Sequence, residues 1–355
     1  MQPPSICLVA ELPPPAGGMA VQAQLLTRLL REASHRVINV PTNPLAVDSP
    51  WRRWPVLRGL INFTLFLVSL PRACSGADIV HVFSHSYLSF FLFSLPPILW
   101  AKLLGKPVVL HYHGGAAGTF LRRWGLVARP LIGMVQRVVV PSAFLREAFA
   151  QHGIRAFEVP NVLAAEFAFR QRRPLQPRFI MARHLEPAYN VGCGLRAFRL
   201  VLDRHPEASL VVAGGGRDFS ALELLARELG LSGRVTFTGA ISNDRIRQLY
   251  NECDVYLNSS NVDNQPVSIL EAFASGLPVV TTAAGGIPYM VSDGVDALLA
   301  NINDAPALAR QSLRLFEEPE LAQQLIENGR RRTEAFQWPA VYRQLQSVYA
   351  GAMAG

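Results

Sequence analysis

The chain has 355 residues, 50% hydrophobic and 17% charged. That is enough apolar material for about two domains of ~150 residues and too little charge for a disordered chain. Lys and Arg outnumber Asp and Glu by 34 to 26; residues 1–165 carry 15 basic and 6 acidic side chains, residues 166–355 carry 19 and 20. A basic first half points to an anionic surface or substrate. Four scattered cysteines (Cys7, Cys74, Cys193, Cys253) without a C-x-x-C spacing exclude a disulfide scaffold or a zinc module.

In chain order, β-branched runs at 6–11, 37–40, 79–83, 108–112 and 138–141 read as buried strands. Helical stretches at 19–31, 56–70, 87–104 and 121–135 lie between them, and Ser142 reads as the N-cap of the next helix. This alternation predicts a parallel sheet covered on both faces. Basic residues and two prolines at 170–178 predict a connector. The alternation then restarts, with strands at 179–182, 210–214, 235–239, 255–258 and 279–282 and helices such as 221–229 and 244–252. The tail from 305 to 350 reads as helical, with a break at Trp338-Pro339. The expected architecture is α/β: two Rossmann-like domains whose sheets face across a cleft, with ligands at the carboxyl ends of the strands. The expected boundaries are 1–165 for a first Rossmann-like domain, 166–177 for a linker, 178–335 for a second and 336–355 for a C-terminal helix that packs back on the first domain.

No Lys/Arg-rich start leads into an apolar core, so no secretory leader is expected. The longest uncharged apolar run, 86–101, is shorter than the ~20 residues of a spanning helix and contains Pro96-Pro97. The expected location is cytoplasmic, with peripheral attachment at the inner face of the plasma membrane. Trp51-Arg52-Arg53-Trp54 ahead of an apolar stretch at 57–67, together with Arg122 and Arg123, suits an interfacial helix on anionic lipid. The same residues equally suit helices that cover the sheet and leave their arginines solvated. No aromatic single-strand platform or recognition helix accompanies the charge, so nucleic acid is not an expected partner.

Five segments carry candidate chemistry. Pro13-Pro14-Pro15-Ala16-Gly17-Gly18 follows the first strand and precedes a helix, where glycines let backbone approach an anion; it is also a plausible tight turn. It is not G-x-G-x-x-G, so no dinucleotide cofactor is expected. His111-Tyr112-His113-Gly114-Gly115 closes a strand, with His113 as the ligand-facing histidine. Arg183 ends the first strand of the second half and suits bidentate pairing with phosphate, or a structural salt bridge. Gly214-Gly215-Gly216 stands where a phosphate turn or a merely flexible turn would lie. In Asp263-Asn264-Gln265-Pro266-Val267-Ser268, a loop carries Asp263 and a helix opens near Pro266. Glu271 then lies on an otherwise apolar helix, where a carboxylate suits two vicinal ribose hydroxyls or a buried structural partner. The first-turn N–H groups near Val267 and Ser268 are free for an anion or a sugar hydroxyl.

The stretch 263–286, DNQPVSILEAFASGLPVVTTAAGG, resembles the signature of the GT-B retaining glycosyltransferases of family 4, the glycogen-synthase-like group. The resemblance runs over nearly the whole chain, through Gly17-Gly18, the 78–81 strand, His113-Gly114, Pro160-Asn161, Arg183 and Gly285-Gly286. It implies that Glu271 holds the nucleotide ribose and that Asp263, where the family usually has Glu, meets the donor sugar with help from Asn264. Arg183 would neutralise the diphosphate. Gly17 and Gly18 would lie by donor phosphates or acceptor, and His113 by the transferred sugar. The family's Lys after the Arg is replaced: Tyr189 and Asn190 occupy its neighbourhood. The implied donor contacts also include Asn190, which could hydrogen-bond a phosphate without charge, and Gly214, Pro266, Val267 and Ser268, with 1–165 as the acceptor domain and 178–335 as the nucleotide-sugar domain.

The resemblance implies retaining transfer by front-side attack from a nucleotide sugar to a hydroxyl, on a glycan or lipid-linked acceptor. Bacterial-type surface polysaccharide, glycolipid or glycoconjugate assembly is the implied setting. No cofactor is expected beyond the substrate, and with no Asp-x-Asp pair in the sequence no metal is expected either. Two alternatives stand beside it: a catalytically silent GT-B binding protein, supported by the missing Lys, and a nucleotide-sugar epimerase, for which no acid/base pair is identified.

Overall fold

The computed structural model describes residues 3–14, 17–45, 54–164 and 167–355. Pro15, Ala16, Trp51, Arg52 and Arg53 lie outside the described residues, as do 165 and 166 at the predicted domain end and linker start. The chain forms two compact units, Met1–Val162 with Trp338–Gly355, and Leu163–Gln337.

The first unit is built on strands β1 (Ile6–Ala10), β2 (Val37–Pro41), β3 (Ile79–Ser84), β4 (Val108–Tyr112), β5 (Arg137–Val140) and β6 (Ala156–Glu158). They pair in parallel in the order β2-β1-β3-β4-β5-β6. Every residue of β1, β3 and β4 is buried, as a parallel strand covered on both faces requires. Helices α1 (Gly18–Glu32), α2 (Pro55–Ser75), α3 (Leu95–Leu103), α4 (Ala117–Ile132) and α5 (Ala143–Ala150) fill the crossovers. Ser142 caps α5 as expected, its side chain accepting from the Leu145 N–H at 3.3 Å.

The predicted helix 87–104 is interrupted. A π turn at Phe90–Ser94 precedes α3, placing Phe90 in the core while Phe91 and Phe93 pack against its edge. Helix α2 runs further than expected and is long and apolar enough to cross a bilayer by length and composition. Arg58 and Arg72 interrupt its sequence, which is why the longest uncharged apolar run lies at 86–101 and not here.

The second unit holds β7 (Arg178–Ala182), β8 (Ser209–Ala213), β9 (Val235–Gly239), β10 (Val255–Asn258), β11 (Val279–Thr282) and β12 (Leu298–Ala300). Their parallel order is β12-β11-β10-β7-β8-β9. Its helices are α6 (Val191–Leu202), α7 (Phe219–Glu228), α8 (Asn243–Glu252), α9 (Val267–Ala274), α10 (Ile287–Met290), α11 (Ala305–Glu317) and α12 (Pro319–Arg332). The last helix, α13 (Trp338–Met353), belongs to the first unit, where it buries Val341, Leu345, Val348 and Tyr349.

The segment predicted as a linker is instead part of the second unit, and the division falls at 162/163. Arg172 is the reason: it is buried, and its guanidinium donates to the carbonyls of Cys253 (2.9 Å), Tyr250 (2.6 Å) and Ser275. Asp254, also buried, pairs with Arg170 at 2.9 Å and lies 3.5 Å from Arg172. Burial lowers the Arg172 pKa, but only to about 10, so it stays charged. A charge-rich, proline-containing stretch that reads as solvent-exposed is here a buried strap, because its cations meet three carbonyls and a carboxylate.

Candidate functional site

In the second unit the strand order reverses beside β7: β8 and β9 lie on one side, β10 to β12 on the other. Such a reversal opens a crevice at the carboxyl ends of the two central strands, where ligands of open α/β sheets bind. The residues leaving β7 and β10 are Arg183 and the segment from Ser259 to Asn264. The topology thereby brings together two groups 80 positions apart in sequence.

Arg183 is held on several sides. Its Nη2 pairs with Asp263 Oδ2, its Nη1 donates to Ser268 Oγ at 3.0 Å, and its guanidinium lies 4.1 Å from the Tyr189 ring centroid. The Arg183 and Asp263 side chains are 9% and 11% exposed, which makes this a buried ion pair. Arg183 Nε is buried without a hydrogen-bond partner among the described residues. An orphaned guanidinium N–H in a cationic site is a donor awaiting an acceptor. Burial opposes the Arg183 charge, but Asp263 and the surrounding tyrosines outweigh it and its pKa is raised. The Asp263 carboxyl is pushed up by burial, against the pull of Arg183 and the Asn264 N–H that donates to it at 2.9 Å.

Helix α9 opens immediately after Pro266, which takes the N-cap place, so Val267 and Ser268 occupy its first turn as expected. Ser268 Oγ also accepts from the Tyr256 hydroxyl at 2.7 Å. One turn on, Glu271 Oε2 accepts from the Tyr250 hydroxyl at 3.1 Å. Burial pushes the Glu271 carboxyl up to about 7, although Tyr250, Arg183 and Arg247 all favour its charged form. A carboxylate accepts about four hydrogen bonds, so Glu271 retains capacity for paired hydroxyls. Tyr250 and Tyr256 were not anticipated as site residues. They lie on α8, a mostly polar helix, and on β10, a buried strand, and no spacing rule reads out of either which hydroxyl meets a carboxylate.

Two glycines hold the Asp263 loop. A Cβ on Gly285 would lie 2.2 Å from the Asp263 carbonyl oxygen, and one on Gly286 1.9 Å from that of Asn264. The Gly286 N–H donates to the Asp263 carbonyl at 2.9 Å. Gly286→Ala therefore forces the loop away from Arg183. The expected result is a folded protein with weakened donor binding, measured by calorimetry beside the wild type; unchanged binding would show that the loop tolerates the shift.

Gly214 and Asn190 have structural work that the sequence did not reveal. Gly214 adopts φ +149°, and a Cβ there would lie 2.0 Å from the Arg183 carbonyl oxygen, so protein backbone by itself already requires glycine there. The neighbouring Gly216 meets Leu185 in the same way, at 2.3 Å. Asn190 sits in the left-handed region (φ 42°) at the N-cap of α6, and its amide nitrogen donates to Asn261 (3.1 Å) and Asn303 (2.8 Å). Its two donors are thus committed to protein, and the place of the expected phosphate contact is taken by the Tyr189 ring against Arg183.

In the first unit the order reverses between β1 and β3. The loop after β1 carries Gly17 and Gly18, and a Cβ on either would meet open space, so no protein contact demands glycine there. Gln22 on α1 anchors that helix through two 3.0 Å bonds to the Val162 backbone. His113 lies one residue past β4, its ring stacked on Phe83 (4.9 Å, 11°) and beside His111 (4.3 Å). Burial, with His85 and His81 nearby, depresses its pKa to about 3, so it is neutral at physiological pH. His113 Nε2 is buried without a partner among the described residues, as is His111 Nε2. Behind them His81 bridges Tyr349 of α13 (2.7 Å) and His111 (3.2 Å).

Two six-stranded parallel α/β units, each with its sheet reversing strand order beside its first strand, are the architecture of the GT-B fold. The pattern of glycosyl transferases group 1 matches residues 165–332, and that of glycosyltransferase family 4 matches residues 16–162. The chain belongs to the group 1 glycosyltransferases. It is 25% identical over 294 residues to sulfoquinovosyl transferase SQD2 of Arabidopsis thaliana, a match covering 76% of this chain and 56% of that one. It is 32% identical over 162 residues to a D-inositol 3-phosphate glycosyltransferase of Corynebacterium jeikeium, covering 44% of this chain and 39% of the relative. The chain thus spans about half the length of these relatives. Among solved structures, Anabaena HepE in complex with UDP superposes with a TM-score of 0.78 at 16% identity, over 98% of this chain and 99% of that one. Sucrose-phosphate synthase of Thermosynechococcus elongatus does so with a TM-score of 0.78 at 19% identity, over 99% of both.

Proposed function

We infer that the protein is a retaining glycosyltransferase that uses a nucleotide sugar and no metal. The second unit holds the donor, and the first takes a hydroxyl acceptor on a glycan or lipid-linked precursor. Bacterial-type surface polysaccharide, glycolipid or glycoconjugate assembly, on the cytoplasmic side of the membrane, is the setting that fits this chemistry. The observation that carries the reading is Arg183: a nearly buried guanidinium at the strand-order reversal, with an N–H unpaired among the described residues, bonded to Ser268, which lies one helical turn before the Glu271 carboxylate suited to ribose. HepE bound to UDP and to UDP-glucose supports a uridine nucleotide as the first donor to try.

In the proposed reaction the acceptor hydroxyl attacks the anomeric carbon from the face that the diphosphate leaves. The bond from that carbon to the phosphate oxygen breaks as the new glycosidic bond forms. The hydroxyl proton passes to the departing phosphate oxygen. Negative charge grows on the diphosphate, and Arg183 with the free N–H groups at the start of α9 stabilises it. Asp263 holds Arg183 in place, and the donor's phosphates must share that guanidinium with it. His113, neutral, can hydrogen-bond a sugar hydroxyl without adding charge.

A second reading, a binding protein without turnover, is favoured by Tyr189 and Asn190 standing where the family usually has a Lys. A thermal-shift panel of UDP, GDP and ADP sugars followed by turnover assays separates the readings. The expected result is a selective gain in melting temperature with one base, and turnover unaffected by EDTA. A gain without turnover over a panel of acceptors supports the silent reading. No gain with any nucleotide sugar rejects both, and activity lost to EDTA and restored by a divalent ion rejects metal independence.

A further inference from the structure

One part of the first unit is unlike the rest of the molecule. Among the described residues, 15 of the 22 large hydrophobic side chains that are exposed lie between residues 54 and 127. The remainder are scattered singly, as on any soluble surface. Within that stretch they concentrate on three neighbouring elements. On α2, Val56 (88% exposed), Leu60 and Val68 recur at a spacing of four or eight residues. Leu88 just ahead of the π turn and Leu99 and Leu103 on α3 follow, and Leu126 (96% exposed) stands on α4. The elements adjoin through aromatic contacts: Phe63 and Phe66 of α2 against Phe93 at 6.1 and 5.7 Å, and Phe91 against Trp124 of α4 at 5.8 Å. The exposed side chains thus lie on a cluster of packed helices, which exceeds the usual scatter.

The charge of the same stretch is one-signed. From residue 49 to residue 146 the sequence contains 11 Lys and Arg and a single acid, Asp78. Asp78 is occupied at the foot of β3, accepting from Ser5 N and Oγ at 2.8 and 2.7 Å. Arg58, Arg122, Arg123 and Arg129 are all exposed on α2 and α4 among the apolar side chains. A protein partner with an apolar face would not ask for so complete an exclusion of carboxylates. Hydrocarbon beneath a layer of phosphate headgroups does, because the leucines enter the acyl boundary while the guanidinium groups pair with phosphate.

The depth of insertion follows from the packing of α2. One face of its second half is committed to protein: Phe66, Leu70, Ala73 and Cys74 belong to the core of the first unit. The helix is exposed all round only over 56–60, about a quarter of the ~20 residues needed to span a bilayer. We propose that α2, α3 and α4 form an interfacial docking surface for an anionic lipid bilayer, lying in the headgroup region without crossing it. As the means of reaching a lipid-linked acceptor, this rests on the transferase reading above.

The test is flotation of the full chain with vesicles of phosphatidylglycerol in phosphatidylcholine, and with phosphatidylcholine alone. Binding is expected to the former only and to weaken as salt rises. The double variants Val56→Glu with Leu126→Glu, and Arg58→Glu with Arg122→Glu, are each expected to bind at least about tenfold more weakly. All four side chains are exposed, so the folds should survive, and an unchanged melting temperature checks that. Equal binding to both vesicles, or none at low salt, overturns the proposal. So does a wild type that is dimeric in solution, becomes monomeric in the Val56/Leu126 variant and ignores vesicles, which makes the face a self-association surface. Retention in membranes after high-salt and alkaline washing overturns it in favour of a spanning helix. The thermal shift with UDP-glucose is read on the same samples. Flotation without a shift leaves the docking surface standing and counts against the donor site; a shift without flotation does the reverse.

Discussion

Arg183→Ala is expected to lower transfer by about 10²–10³-fold, the usual cost of removing one preorganised donor from a developing anion. The same change has a second effect that must be separated from the first. Asp263 would be left as a buried carboxylate without its ion-pair partner, which typically destabilises a protein by about 3–5 kcal/mol. Adding Asp263→Asn removes the stranded charge, so the double variant should regain most of the lost stability and none of the activity. Denaturant unfolding and turnover on the same four proteins close the cycle. If activity returned along with stability, Arg183 would be a structural residue and the diphosphate assignment would fail. Arg183→Lys is expected to restore charge without the fork geometry, and so to recover only part of the rate.

The second large effect concerns pH. Glu271 has its folded-state pKa raised from 4.5 to about 7. In the free protein it therefore binds a proton between about pH 4.5 and 7 that the unfolded chain has already released, and it makes the fold less stable as pH rises through that window. Ribose hydroxyls donate to the charged form, so a bound donor pulls this pKa back down. Donor binding near pH 6.5 should then release a proton, and affinity should fall by up to about tenfold for each pH unit below 7. Calorimetry with UDP-glucose in buffers of different ionisation enthalpy reads the proton directly, and the sugar nucleotide itself does not titrate there. Glu271→Ala should abolish the thermal shift, and Glu271→Gln should flatten the pH dependence. A donor that binds Glu271→Gln with the wild-type pH profile would place the ribose elsewhere.

Local pattern made much of this molecule legible. The strands predicted at 108–112, 255–258 and 279–282 coincide with β4, β10 and β11, because buried parallel strands are continuous apolar, β-branched runs, and 235–239 coincides with β9, a half-buried edge strand. The opening of α9 at Pro266 and the cap at Ser142 were likewise readable. Two strands were missed, Ala156–Glu158 and Leu298–Ala300, since three residues at a sheet edge carry too little periodicity. The connector failed differently: 170–178 has the composition of a solvated linker, and only the carbonyls of Cys253, Tyr250 and Ser275 explain why Arg172 lies inside.

Within the candidate site the division is just as clear. Residue type and order along the chain singled out Arg183, Asp263, Ser268 and Glu271, because a cation at a strand end and acids around a helix start are local facts. Which of them pair is not local. The ion pair of Arg183 with Asp263, the Tyr250 hydroxyl on Glu271 and the commitment of Asn190 to Asn261 and Asn303 all join residues far apart in the chain. Gly214 marked a turn in either view, but only the approach of the Arg183 carbonyl shows that backbone alone demands glycine there. Sequence by itself determined the layers, the chemistry available and the basic, acid-poor helices of the first unit, since these depend on composition and short-range period. The tertiary structure decided which polar groups are satisfied and which are left waiting, because burial and pairing are set by strand order and not by spacing along the chain.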